Sequence, residues 1–114
     1  MHDFQSLCQL RRSYRKYTDQ PVEQEKLDYI IRCALMSPAG KRMNPWHFVV
    51  IKNEEILRQL AGCRTYGSGM FDTAMAGIVV AADTSVIDTW QCDAAIAAQN
   101  IWLAAADQGL GACW

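Results

Sequence analysis

Between Ala94 and Ala106 the only polar side chains are Gln99 and Asn100, in a stretch of helical character that Asp93 can cap and that Gly109 and Gly111 break. A helix that is apolar nearly all round has to be covered on most of its sides. A chain of 114 residues forms one domain at most and buries roughly two-thirds of its unfolded surface. That leaves little protein to wrap an internal helix. Either a second copy of the chain covers it, through an interface like a core cut in half, or one subunit alone wraps it as a central helix. The first arrangement is the expected one.

The other elements follow from spacing. Phe4, Leu7, Cys8 and Leu10 lie at helical intervals, which predicts a first helix ending where Arg11 begins. After a turn at Thr18-Asp19-Gln20-Pro21, Leu27, Ile30, Ile31, Ala34 and Leu35 recur at i, i+3, i+4, i+7 and i+8. This predicts an amphipathic helix from about Glu23 to Met36, stopped by Ser37-Pro38-Ala39-Gly40. The loop from Ser37 to Pro45 reads as basic at Lys41 and Arg42 and flexible at Gly40. His47 to Ile51, β-branched and aromatic, predicts a buried strand. Asn53 is placed to cap a helix through Leu60, with Ile56, Leu57 and Leu60 as its apolar face. Gly62, Gly67 and Gly69 mark a mobile connection around Tyr66. Ala76 to Ala82 is a second strand, apolar throughout and therefore expected at the centre of a sheet.

One segment points to a ligand. Arg11-Arg12-Ser13-Tyr14-Arg15-Lys16-Tyr17 gathers three arginines, a lysine and a serine hydroxyl into six residues. Guanidinium forks match phosphate oxygens bidentately, so such a run can hold a phosphate and a second electron-rich group together. The plainer reading is a solvated turn whose cations complement the dipole of the preceding helix. Nucleic acid is disfavoured: the formal net charge is −1 and the pI about 6.0, so the cations are concentrated in one place. A small phosphorylated ligand fits better.

Composition narrows the remaining classes. With 51% hydrophobic and 20% charged residues the chain is not disordered. Its longest apolar run, Ala74 to Ala82, is far short of the roughly 18 residues of a membrane span, and residues 1–20 hold no apolar core of a secretory leader. The five cysteines, Cys8, Cys33, Cys63, Cys92 and Cys113, include no C-x-x-C pair. An odd, widely spaced set predicts reduced thiols in a cytoplasm, with no metal site, since His2 and His47 lack the spacing zinc requires.

Four stretches, in order, resemble the nitroreductase family of flavin mononucleotide (FMN) enzymes. They are the R-R-S-x-R-x-Y run Arg11 to Tyr17, Ser37-Pro38-Ala39 leading to Asn44-Pro45-Trp46, the apolar strand ending at Asp83, and Asp93 through Gly109-Leu110-Gly111. The resemblance spans nearly the whole chain. It implies a single α+β domain over 1–114 with a central mixed or antiparallel sheet flanked by helices, in an intertwined homodimer with two FMN sites at the interface. On that resemblance Arg11, Arg12 and Ser13 hold phosphate and ribityl oxygens, and Arg15 faces the N1 and O2 edge of the flavin. A guanidinium there stabilises the negative charge of the reduced ring. The partner subunit would bring Pro38, Ala39, Gly40 and Met43 against the isoalloxazine. Trp46 reads as packing, and Cys92 as a buried structural cysteine.

The activity so implied is a ping-pong transfer of electrons from NADH or NADPH to a nitroaromatic, a quinone or a similar small acceptor, with no catalytic side chain and no metal. The alternative is a non-catalytic flavin-binding or dimerisation module. Two features depart from the family pattern. A lysine common near Ser68 and Gly69 is missing, with Arg64 the nearest substitute, and the chain stops at an apolar Trp114 where relatives continue, which is expected to reflect truncation.

Overall fold

The computed structural model describes residues 2–114. Helices α1 (Phe4–Leu10) and α2 (Gln24–Leu35) lead to strand β1 (Trp46–Ile51), helix α3 (Glu54–Ala61), strand β2 (Gly77–Ala82) and helix α4 (Trp90–Asp107). Turns of 3₁₀ helix lie at Gly40–Arg42 and Gly69–Asp72. Two helices start where a side chain meets an orphan N–H: Asp3 accepts from the Ser6 amide at 2.8 Å, and Asn53 from the Ile56 amide at 3.0 Å. Helix α2 buries the stripe Leu27, Ile30 and Ala34, as its spacing requires.

The two strands pair antiparallel, with Trp46 opposite Ala82 and Ile51 opposite Gly77. One face lies on the helical core, where Ile78 packs against the cluster of Ile30, Ala104 and Ala105. The other is open, leaving Val49 and Val79 half-exposed. Two expectations are corrected by this arrangement. Strand β1 is not buried on both faces, and β2 is not central, because among the described residues β1 is the only strand beside it. A single parallel bridge, Ser13 with Ala112, stands apart from the sheet.

The Gly62–Ser68 connection is tied down. The Ser68 hydroxyl donates to the carbonyls of Ala61 at 2.8 Å and Arg64 at 3.3 Å, while Tyr66 projects outward. Beyond it, Arg58 donates through one nitrogen to the carbonyls of Phe71 at 2.8 Å and Ala74 at 2.7 Å. That contact clamps the 3₁₀ turn to α3 and delivers the chain into β2.

Helix α4 packs on α2, α1 and the strand pair. Asp93, Ala97, Ala104 and Ala105 are buried, yet Ile96 stays 42% exposed and Gln99 faces out. The expected cap is corrected. Helix α4 begins at Trp90, because the Asp93 amide already bonds back to the Thr89 carbonyl at 3.0 Å. Asp93 therefore sits inside the first turn with its carboxylate inward. Cys92, one position earlier on the helix, is rotated outward and is exposed, contrary to the buried role expected of it. No helix among the described residues is long and apolar enough to cross a membrane.

Candidate functional site

The basic run leaves α1 as an extended strap. Ser13 pairs with Ala112, the Tyr14 amide donates to the Ala112 carbonyl at 3.0 Å, and the Tyr17 amide donates to the Thr73 hydroxyl at 3.0 Å. With its backbone so occupied, the strap presents its side chains to solvent. Arg12, Ser13 and Arg15 are exposed, while Arg11 is half-buried with its guanidinium 4.4 Å from the centre of the Trp102 ring. The ion pairs among the described residues are Lys26 with Glu23 and Arg58 with Glu54, so no carboxylate neutralises the strap. A concentrated, unneutralised set of guanidinium groups is an anion-receptive surface.

The second segment, Pro38 to Met43, is bent more tightly than its sequence suggests. Lys41, Arg42 and Asn44 hold φ of 49°, 56° and 48°, left-handed values that side chains resist at roughly 1 kcal/mol each. Gly40 was expected to supply flexibility and instead is fixed. Its amide donates to the Asp93 carboxylate at 3.1 Å, and a Cβ there would overlap Thr89 Oγ1 and press on Ile87 Cδ1 at 3.0 Å. Thr89 donates to the other Asp93 oxygen at 3.0 Å. Upstream, Asn100 donates to the Ser37 hydroxyl at 2.8 Å. Ala39 and Gly40 are half-buried, with Pro38 and Met43 exposed. Trp46 is buried and stacked on Phe48, as a packing residue should be.

Both segments are thus anchored on α4, and the helix separates them. At about 100° per residue, Asp93 and Asn100 are roughly 20° apart around the axis, whereas Asp93 and Trp102 are about 180° apart. The Ser37–Met43 loop grips one face and the arginine strap the other. Within one protomer the two groups of expected ligand residues are anchored on opposite faces of α4.

A cleft of about 670 Å³ is lined by other residues, among them Tyr14, Tyr17, Leu27, Ile78, Leu110 and Cys113. Burial, with the Cys113 thiol beside it, pushes the Tyr17 phenol up to about 12, and its hydroxyl donates to the Tyr14 carbonyl. Tyr29 also rises to about 12, chiefly because it donates to Asp107 at 2.7 Å. A raised folded-state value makes these phenols stabilising below their ordinary pKa of 10, an effect lost as pH climbs toward 12. Unfolding measured against pH is expected to show stability falling over that window, and Tyr29→Phe to flatten part of the fall. An unchanged slope in that variant would exclude the Asp107 bond as a cause.

Spacing did not signal Asp93 as the anchor of the loop, Trp102 as the anchor of the strap, or Arg58 as a clamp. Asp93 and Trp102 looked like a cap and an apolar core residue. The nearest signal was the tryptophan N–H, a donor that needs a partner when it is drawn into a core.

An α+β fold with an anion-receptive strap and a strained loop on opposed faces of one helix defines the class. The family model described as the nitroreductase family matches residues 9–64 and 62–114. The chain belongs to the nitroreductase family. It is 41% identical over 107 residues to a Methanothermobacter thermautotrophicus protein named as a candidate NADH dehydrogenase/NAD(P)H nitroreductase, covering 91% of this chain and 56% of that protein. An FMN-dependent nitroreductase from Clostridium difficile R20291 superposes with a TM-score of 0.89 at 46% identity, over 91% of this chain and 61% of the other. A candidate nitroreductase from Desulfovibrio desulfuricans, solved in complex with FMN, superposes at 0.86 with 28% identity, over all of this chain and 68% of that one. The chain thus spans between half and two-thirds of the length of the first two.

Proposed function

We propose that residues 1–114 act as one domain of an FMN-dependent oxidoreductase, and that each flavin site is completed by two copies of the chain. The observation that carries this reading is the separation of the strap and the loop by α4. Arg11, Arg12 and Ser13 of one protomer would hold the phosphate and ribityl oxygens, with Arg15 at the pyrimidine edge. Pro38, Ala39, Gly40 and Met43 of the other would lie against the ring system. The residues suit the cofactor: the strap carries unneutralised charge for a dianion, and the loop is compact at Gly40, where any side chain would collide.

FMN bound there would supply two-electron chemistry, accepting electrons from NADH or NADPH and passing them in ping-pong fashion to a nitroaromatic, a quinone or a similar small acceptor. The protein's own part is positional and electrostatic. The Arg15 charge favours electron density at the nearby ring edge, and the rigid Gly40 turn fixes the distance of approach. The exposed side chains Ile96 and Gln99 on α4 fit a helix that a second copy covers, and free cysteines fit a reducing cytoplasm.

The test is to purify the chain, add FMN, remove the excess and record the visible spectrum before and after NADH or NADPH. A retained yellow colour that either nicotinamide bleaches is the expected result. A colourless protein overturns the reading, and a yellow protein that neither donor bleaches identifies a flavin-binding module without turnover.

A further inference from the structure

We propose that Trp102 is a positioning residue that sets the shape of the phosphate-binding strap. Its indole N–H points between two carbonyls, Arg12 O and Ala112 O, each at 3.2 Å. The strap and the segment after α4 are the two stretches of the chain that meet in the Ser13–Ala112 bridge, so a single donor grips both sides of that junction. The same indole offers its ring to the Arg11 guanidinium at 4.4 Å. Stacking engages the face of the guanidinium and leaves its in-plane N–H donors free, so Arg11 is held without being used up. Gly111 completes the junction: a Cβ there would meet the Tyr14 ring at 2.9 Å, so the ring closes over bare backbone.

The consequence concerns affinity for one part of the ligand. Arg12 and Ser13 are exposed and would lose conformational freedom on gripping a phosphate. A strap already pinned at Arg11, Arg12 and Ser13 loses less, and preorganisation of this kind appears as tighter binding. Trp102 acts through the strap, at the phosphate end. It has no means of discriminating among flavins that lack a phosphate.

The inference rests on the reading that the strap binds the phosphate of FMN, and the experiment separates the two. Affinities for FMN and for riboflavin, which lacks the phosphate, are measured by flavin fluorescence for the unaltered chain, Trp102→Phe and Trp102→Leu. Phenylalanine keeps a ring for Arg11 and removes the N–H; leucine removes both. Trp102→Phe is expected to weaken FMN about 3- to 10-fold, the range of one ordinary hydrogen bond, and to weaken riboflavin, which offers the strap only its ribityl hydroxyls, by less. Trp102→Leu should weaken FMN further. Amide exchange at Tyr14, read without ligand, should quicken in both variants while the core amides of α2 keep their protection. Equal weakening of both flavins, or no change in either, overturns the role of Trp102 while leaving the flavin reading intact. An unaltered chain that holds FMN no better than riboflavin overturns the phosphate strap and Trp102 with it.

Discussion

Gly40→Val is expected to destabilise the protein by about 3 kcal/mol and to abolish FMN binding. Overpacking a tight site ordinarily costs about 1–3 kcal/mol, and here the atoms that must yield are themselves engaged. A Cβ at Gly40 overlaps Thr89 Oγ1, which donates to Asp93, and the other oxygen of Asp93 holds the Gly40 amide. Asp93 is only 4% exposed. Moving Thr89 aside takes a donor from a buried carboxylate, and moving the loop takes the other, so either relaxation leaves charge less well satisfied. Thermal denaturation should register a fall on the order of 10 °C for a domain of this size. Gly40→Ala, whose single methyl leaves fewer atoms to place, should lie between the two. Melting of the valine variant within a degree or so of the unaltered chain would show that the loop has room the geometry denies it.

Arg12→Ala should behave in the opposite way, losing ligand and keeping stability. The guanidinium is exposed and faces no carboxylate, so its removal is a surface change worth within about 0.5 kcal/mol of zero. Against a phosphate, a charge-assisted bond contributes about 1.5–3 kcal/mol, and its loss weakens FMN roughly 10- to 100-fold. The wild-type affinity should also fall with added salt more steeply than that of the variant. Equal FMN affinity in the two proteins would return the strap to the status of a solvated turn after a helix.

These two variants also mark what the amino-acid pattern made legible. Helices were readable because their signals are local: the Leu27, Ile30 and Ala34 stripe sets α2, and Asn53 alone begins α3. The arginines were conspicuous because so many cations stand together in an otherwise balanced chain. What spacing cannot express is a contact between residues far apart in the chain. Asp93 bonds to Gly40 across 53 positions, and Trp102 to Arg12 across 90. Gly40 reads as a point of flexibility for the same reason, because a glycine needed for close approach and one needed for freedom look identical until the neighbour is known. The strain at Lys41, Arg42 and Asn44 has no compositional mark either, since none is glycine. β2 was misplaced because an apolar run records burial without naming what lies beside it.

Combining the two lesions gives the sharpest test of a site divided between protomers. Chains carrying Arg12→Glu and chains carrying Gly40→Val are co-expressed with different tags, and the mixed dimers are isolated by tandem purification and titrated with FMN. Each mixed dimer then holds one site bearing both substitutions and one bearing neither. The expected result is binding at the unaltered affinity with one flavin per mixed dimer, while each variant alone binds none. If strap and loop of a single chain formed the site, every site in the mixture would carry one lesion, and mixed dimers that bind no flavin would contradict the shared arrangement.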